Sequence, residues 1–258
     1  MSITLAERAA AYLREGPRGP VEIARDVLGL PRAQGVVAER LVAALLAADP
    51  RFAFDAEGRW SAVPEPVLGG VPLAAVRFAV VDVETTGMRA RAGDRVTELA
   101  VVHVEGARME VAMETLVNPD VPIPAFITAL TGISDAMVAG APRFEDVADT
   151  LVGALSGRVF VAHNARFDWA FVQAELDRAG AFAPRVQRLC TVRLTRALAP
   201  ELARRDLDSV RHYFGIETDA RHRAAGDALV TAAVLRRLLA RAEELGVGTW
   251  PALRELVP

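Results

Sequence analysis

The rhythm of apolar and polar positions changes near residues 63–74, and the chain on either side predicts different elements. Val63-Pro-Glu-Pro-Val-Leu-Gly-Gly-Val-Pro-Leu-Ala74 sets three prolines and a glycine pair where no regular element can run on, which marks a linker. Before it, Thr4 and Glu7 are spaced as a capping box opening a helix with Leu5, Ala9, Tyr12 and Leu13 at its apolar positions, stopped at Gly16. Pro20 suits the first turn of a second helix, with Val21, Ile23, Val27 and Leu28 as its buried side. A third helix is predicted over about residues 33–48, carrying Val37, Leu41, Leu45 and neighbours as its apolar positions. Residues 51–54, 55–58 and 59–63 then read as strand, turn and strand.

Beyond the break the pattern is mixed α/β. Residues 76–83 form a near-continuous apolar run, as in a strand covered on both faces. Residues 96–104 and 109–117 alternate more clearly and suit antiparallel neighbours. Helices are predicted near 125–130 and 143–155, a strand over 158–162, a helix over 164–179 and a fifth strand over 186–190. Three helical segments close the chain, the longest over about 224–245. Three successive strands followed by strands alternating with helices give an α/β sandwich with a mixed sheet. The expected organisation is a small domain over 1–64, a linker over 65–75 and a larger domain over 76–258. Three helices and a hairpin is an order that resembles the winged helix-turn-helix modules often fused to nucleic-acid enzymes.

Composition narrows the classes. The single cysteine, Cys190, excludes a disulfide framework and a Cys-based zinc site. No apolar run is long enough to cross a membrane, and Met1-Ser2-Ile3-Thr4 lacks the features of a signal peptide, so the expectation is a soluble cytoplasmic protein. The net charge is −3 and all 30 basic residues are arginine. Residues 1–64 carry 8 arginines against 8 acids, and the remainder 22 against 25. Neither part is basic enough to coat a nucleic acid, so a polyanionic substrate must be held by something other than bulk charge. The same balance leaves DNA and a protein as comparable partners for the N-terminal module.

The chemistry lies in acids placed against the pattern. Asp82 and Glu84 interrupt the apolar strand and, at i and i+2, project from one face about 6–7 Å apart. Two like charges buried so close are costly unless a cation neutralises them. Asp168, in His163-Asn-Ala-Arg-Phe-Asp168, falls near a helix start with Asn164 as N-cap, where the helix dipole favours an anion. His222 and Asp227 lie five residues apart, about 140° around a helix, which puts His222 on the preceding loop and Asp227 in the first turn. Each feature alone is ordinarily a solvated strand end, a helix-start acid or a surface histidine.

Taken in order, Val81-Asp-Val-Glu-Thr-Thr-Gly87, His163-Asn-Ala-Arg-Phe-Asp168 and His222-Arg-Ala-Ala-Gly-Asp227 resemble the three motifs of the DEDDh 3′–5′ exonucleases, the DnaQ-like family of polymerase III epsilon subunits. Asn118-Pro-Asp-Val-Pro-Ile-Pro124 and Leu130-Thr-Gly-Ile133 also look like segments this family sets beside its site. The resemblance covers roughly residues 76–243. It implies a ribonuclease H-like mixed five-stranded sheet flanked by helices. It also implies release of 5′-mononucleotides from a 3′ end. The sister branch replaces the histidine by a tyrosine, and neither Tyr12 nor Tyr213 is so placed.

An all-oxygen ligand set selects hard divalent ions, Mg2+ or Mn2+. In this reading Asp82 bridges two cations, Glu84 and Asp227 complete one ligand set, Asp168 holds the second, and His222 takes the proton of the attacking water. Thr85, Thr86 and Gly87 are expected to seat the terminal nucleotide, with Met88, Ile133 or Phe167 against its base and His163 and Asn164 alongside. Single-stranded DNA is the expected substrate. The alternatives are an RNA-trimming exonuclease and a catalytically idle binding module. A stand-alone or repair-associated role is expected, because the chain finishes in a short amphipathic segment instead of a polymerase-binding tail.

Overall fold

A computed structural model describes residues 4–47, 49, 51–55, 57–62, 70–217 and 223–257. The chain divides into two compact units, Met1–Val67 and Leu68–Pro258. In the first, α1 (Leu5–Leu13), α2 (Pro20–Asp26) and α3 (Gly35–Leu46) precede an antiparallel hairpin of β1 (Phe52–Phe54) and β2 (Trp60–Ala62). The capping box is formed: Glu7 N donates to Thr4 Oγ1 at 3.2 Å, and Thr4 N donates to Glu7 Oε2 at 2.7 Å. Ala9, Leu13, Ile23, Val27, Val42, Phe52 and Trp60 share the core, whereas Leu5 and Val21, both in first turns, are exposed.

The inward row of α3 is offset by one residue from Val37, Leu41 and Leu45. Ala38, Val42 and Leu46 point inward, while Val37 and Leu41 are exposed and Leu45 is half-buried. Residues 36–46 carry two overlapping apolar rows at i, i+4 spacing, and sequence alone does not choose between them. Packing chooses the row that begins with the small Ala38. Residues 65–69 of the expected linker, together with Ala48 and Val63, lie outside the described residues. Leu73–Ala75, also expected to be linker, forms a 3₁₀ turn whose Leu73 is buried and donates its N–H to Gly248 O at 3.0 Å.

The second unit runs β3 (Arg77–Thr85), β4 (Val96–Glu105), β5 (Arg108–Leu116), α4 (Ala125–Thr131), α5 (Asp135–Val138), α6 (Phe144–Leu155), β6 (Val159–Ala162), α7 (Ala165–Arg178), β7 (Arg188–Cys190), α8 (Thr191–Leu198), α9 (Leu207–Tyr213), α10 (Ala224–Glu244) and α11 (Trp250–Leu256). Four helices follow β7 among the described residues where three were expected. Pro200 lies between α8 and α9, and Gly246 and Gly248 lie between α10 and α11. The single turn of α5 was not anticipated.

The five strands are ordered β5-β4-β3-β6-β7. β3, β4 and β5 are antiparallel, and β6 and β7 run parallel to β3. This is the mixed, ribonuclease H-like sheet. β3 is buried on both faces, as its continuous apolar run requires. Phe78 and Val80 face Val230, Val234 and Leu238 of α10, while Ala79, Val81 and Val83 face Leu151 of α6 and Phe171 and Leu176 of α7. Asp82 and Glu84 extend the row of Phe78 and Val80 to the strand's end, on the α10 side.

Candidate active site

The end of β3 is built as a tight turn. Its ladder with β4 slips between Glu84 and Thr85, the Thr85 hydroxyl donates to Gly87 O at 2.6 Å, and Arg95 N donates to Thr86 Oγ1 at 2.9 Å. Asp94 accepts from Arg89 N at 2.7 Å and lies against Gly87, where a Cβ would meet the Asp94 carboxyl carbon at 2.6 Å. A Cβ there would force the Asp94 carboxylate to move. The turn leaves the Met88 side chain 75% exposed.

One ligand oxygen each from Asp82, Glu84 and Asp227 lie within 4.8 Å of one another, the one such group of metal-binding residue types among the described residues. Asp227 reaches it from the first turn of α10, where it is buried. Asp168, in the first turn of α7 and also buried, stands outside that group but near enough for its charge to act on Asp82. Burial holds the Asp82 carboxyl well above the usual carboxylate range, and Asp168, Glu84, Asp227 and Glu98 add to the effect in that order. Asp168 is pushed from 3.8 to about 8, chiefly by burial, against the pull of backbone N–H groups of Asp168 itself and Val83. Four carboxylates crowded from three chain segments, two of them resisting ionisation, fit hard divalent cations: an all-oxygen donor set whose repulsion a cation would relieve.

The other expected residues are placed as follows. Asn164 is the N-cap residue of α7, with the left-handed φ of 82° and no side-chain cap bond. The ring nitrogens of His163 meet Thr191 Oγ1 at 2.9 Å and Arg205 O at 2.9 Å, tying the β6–α7 turn to α8 and the segment before α9. A carbonyl only accepts, so Nε2 carries the proton toward Arg205. Phe167 is half-buried, 4.9 Å from the Phe171 ring. Ile133 is fully buried with Ile123, Ile127 and Val138, so its side chain serves that satellite core and not a base contact. Both threonine hydroxyls are engaged within the turn. His222 lies outside the described residues. Cys190 is half-buried at the end of β7.

Two buried acids outside the expected ligand set, Glu98 and Glu175, hold the site's frame. Glu98 stands opposite Glu84 in the β3–β4 ladder, yet its partner is Arg223, whose Nε donates at 3.0 and 3.1 Å and Nη2 at 2.5 Å; Ala224 N adds a bond at 2.9 Å. The Glu98 carboxylate holds the Arg223 guanidinium above its ordinary pKa. Glu175 on α7 accepts from Arg95 Nε at 2.8 Å, Arg95 Nη2 at 3.0 Å and Val96 N at 3.1 Å. Glu98 did carry a signal, an acid inside the apolar run of β4.

Comparison with known proteins agrees with this geometry. The pattern of the RNase T exonuclease family matches residues 79–235. The chain is 38% identical over 180 residues to the 3′–5′ exonuclease DinG of Bacillus subtilis (strain 168), covering 70% of this chain but only 19% of that protein's length. It is 34% identical over 183 residues to DNA polymerase III subunit epsilon of Aquifex aeolicus (strain VF5), covering 69% of this chain and 89% of the relative. Exonuclease X, solved in complex with 5′ overhanging duplex DNA, superposes with a TM-score of 0.54 at 27% identity, covering 71% of this chain and 99% of that one. With the family pattern running from β3 into α10, across every segment that brings an acid to the cluster, this chain belongs to the RNase T family of DEDDh exonucleases.

Proposed function

We propose that this protein removes nucleoside 5′-monophosphates from the 3′ end of DNA, preferably single-stranded, using two Mg2+ or Mn2+ ions. The observation that carries the reading is the carboxylate cluster, three ligand oxygens within 4.8 Å beside a fourth acid whose charge acts strongly on Asp82. Asp82, Glu84 and Asp227 would hold one cation, and Asp82 with Asp168 the second. Such cations supply positive charge to the attacking and leaving oxygens of a phosphodiester. DNA as the polymer is supported by the DNA-acting relatives, the epsilon subunit and exonuclease X above all. A stand-alone or repair-associated role is part of this reading.

The chain's own residues divide the remaining work. His222 takes the proton of the attacking water as general base. The backbone at Thr85, Thr86 and Gly87 seats the terminal nucleotide, since both hydroxyls are already bonded inside the turn. Exposed Met88 lies against its base, with Phe167, His163 and Asn164 shaping the opposite wall. Residues 1–64 act as a winged-helix-like module that contacts DNA or a protein partner.

The test uses 5′-labelled DNA and RNA of one sequence, single- and double-stranded, with Mg2+, Mn2+ or chelator. A ladder shortening from the 3′ end, fastest on single-stranded DNA and stopped by chelator, is expected. Internal cuts, shortening from the 5′ end or indifference to chelator would overturn the proposal.

A further inference from the structure

Glu98 is 1% exposed, sits directly across the ladder from Glu84, and yet does not belong to the cation cluster. Both its oxygens are committed elsewhere. Oε1 accepts from Arg223 Nε and Nη2, and Oε2 accepts from Arg223 Nε and Ala224 N. Ala224 is the first residue of α10, so its N–H is one of the four that a helix leaves without an internal partner. Arg223, the N-cap residue, makes no side-chain cap bond of its own. A carboxylate from β4 therefore caps α10 from outside and grips its N-cap guanidinium at the same time.

The consequence lies one turn further on. Asp227 N donates to Arg223 O at 3.0 Å, so fixing Arg223 fixes the turn that carries Asp227. A slip of α10 by one residue would swing Asp227 by about 100°, away from Asp82 and Glu84. Glu98 is registered to Glu84 through the β3–β4 ladder, so one bonded path joins ligands from distant parts of the chain.

We propose that Glu98 and Arg223 are a positioning pair that sets the register of α10 and so aims Asp227 at the cluster it forms with Asp82 and Glu84. The inference rests on the exonuclease reading and adds residues that reading does not use. An acid buried among ligands would otherwise be taken for a fifth ligand, and its occupied oxygens assign it the other role.

The test compares the full chain with Arg223→Met, Arg223→Lys, Glu98→Gln and the Glu98→Gln/Arg223→Met double variant, in steady-state digestion of a 5′-labelled strand with Mn2+ and in Mn2+ binding. Arg223→Met should lower kcat about 10–100-fold, the range for residues that orient ligands, with KM changed less than about threefold. Arg223→Lys should recover most of the loss, and the double variant should be no worse than the poorer single one, because the two residues act as a unit. Arg223→Met alone leaves the buried Glu98 carboxylate uncompensated, so Arg223→Lys and the double variant, which leave no unpaired charge, carry the test if a single variant fails to fold. Arg223→Met with kcat within about twofold of the unmodified chain, or losses that multiply in the double variant, would overturn the pair. Weakened Mn2+ binding in Glu98→Gln alone, with Arg223→Met unaffected, would make Glu98 a ligand and overturn it too. An unmodified chain that shortens no strand would sink the exonuclease reading itself, and the positioning role with it.

Discussion

Stripped of cations, the second unit should lose stability steadily as pH rises from about 4 to 8. Asp168 has its pKa raised by folding from 3.8 to about 8, with burial as the main cause. Across that window the native chain keeps a proton that the unfolded chain has already released. One excess bound proton makes the free energy of unfolding fall by about 1.4 kcal/mol per pH unit. The stabilising contribution is complete below the unfolded value and lost as pH climbs through the folded one. From pH 4 to pH 7 the loss is about 4 kcal/mol, a large share of a typical domain's 5–15 kcal/mol. Asp82 is raised in the same direction and steepens the fall. Asp206, lowered by the Ser209 backbone N–H, and Glu201, lowered by the Tyr213 hydroxyl, act with the opposite sign, but only as pH drops through the acid range below about 4.

Urea denaturation in chelator at pH 5, 6, 7 and 8 measures this. Trp169, edge-on to Phe160 at 5.1 Å, and buried Trp250 report on the second unit, and a Trp60→Phe background silences the first. The midpoint should fall with each pH step. Asp168→Asn should raise stability at pH 7 and flatten the slope, and Mn2+ should restore the unmodified protein at high pH. A flat profile in chelator, or an Asp168→Asn variant with the full slope, would refute the account of the site as a cluster of carboxylates held together against their own charge.

Further substitutions probe separate parts of the structure. Asp82→Asn should reduce Mn2+-dependent digestion about a thousandfold or more while stabilising the cation-free protein; a near-normal rate would remove Asp82 from the ligand set. His222→Ala should cost about 10²–10⁴ in kcat, the range for a lost general base, with Mn2+ affinity retained by calorimetry; lost affinity would make the histidine a ligand. Glu175→Ala leaves the half-buried Arg95 guanidinium uncompensated and should lower stability by about 3–5 kcal/mol in urea, and a change below about 1 kcal/mol would show the pair to be dispensable. Gly87→Ala should cost about 1–3 kcal/mol through its collision with Asp94, and Asp94→Ala in the same chain should relieve most of it.

Much of the site was legible because its acids break the hydrophobic pattern. Asp82 and Glu84 stand out in a strand that is otherwise apolar on both faces, and the period of two alone puts them on one side. A separation of five positions between His222 and Asp227 suffices to place Asp227 in a helix's first turn, where it is found. The inward face of α3 was not legible, since Val37 and Val42 are both apolar and only packing distinguishes their rows. Ile133 failed as a base contact for a related reason: a lone apolar residue beside a motif has the same appearance whether it faces a ligand or a core. The roles of Glu98 and Glu175 depend on partners about 125 and 80 residues away in sequence, Arg223 and Arg95. Strand periodicity predicts a side chain's direction but not which cation waits there.

The buried acids of this unit fall into two classes by what surrounds them. Glu98 and Glu175 each meet an arginine and a backbone N–H, so their charge is compensated by the protein itself. Asp82 is surrounded by influences that all raise its pKa: burial, then four other carboxylates. Thirty arginines were available to the sequence, and two of them lie within reach of the site through Glu98 and Glu175, yet neither is the partner of Asp82. An arginine there would stabilise the fold but fill the place of a cation. The chain accepts the electrostatic cost at that one point and surrounds it with compensated pairs that keep the geometry fixed. In the proposed reading this also accounts for a net charge of −3: the positive charge needed at the scissile phosphate would be recruited by the cluster, so the surface need not supply it.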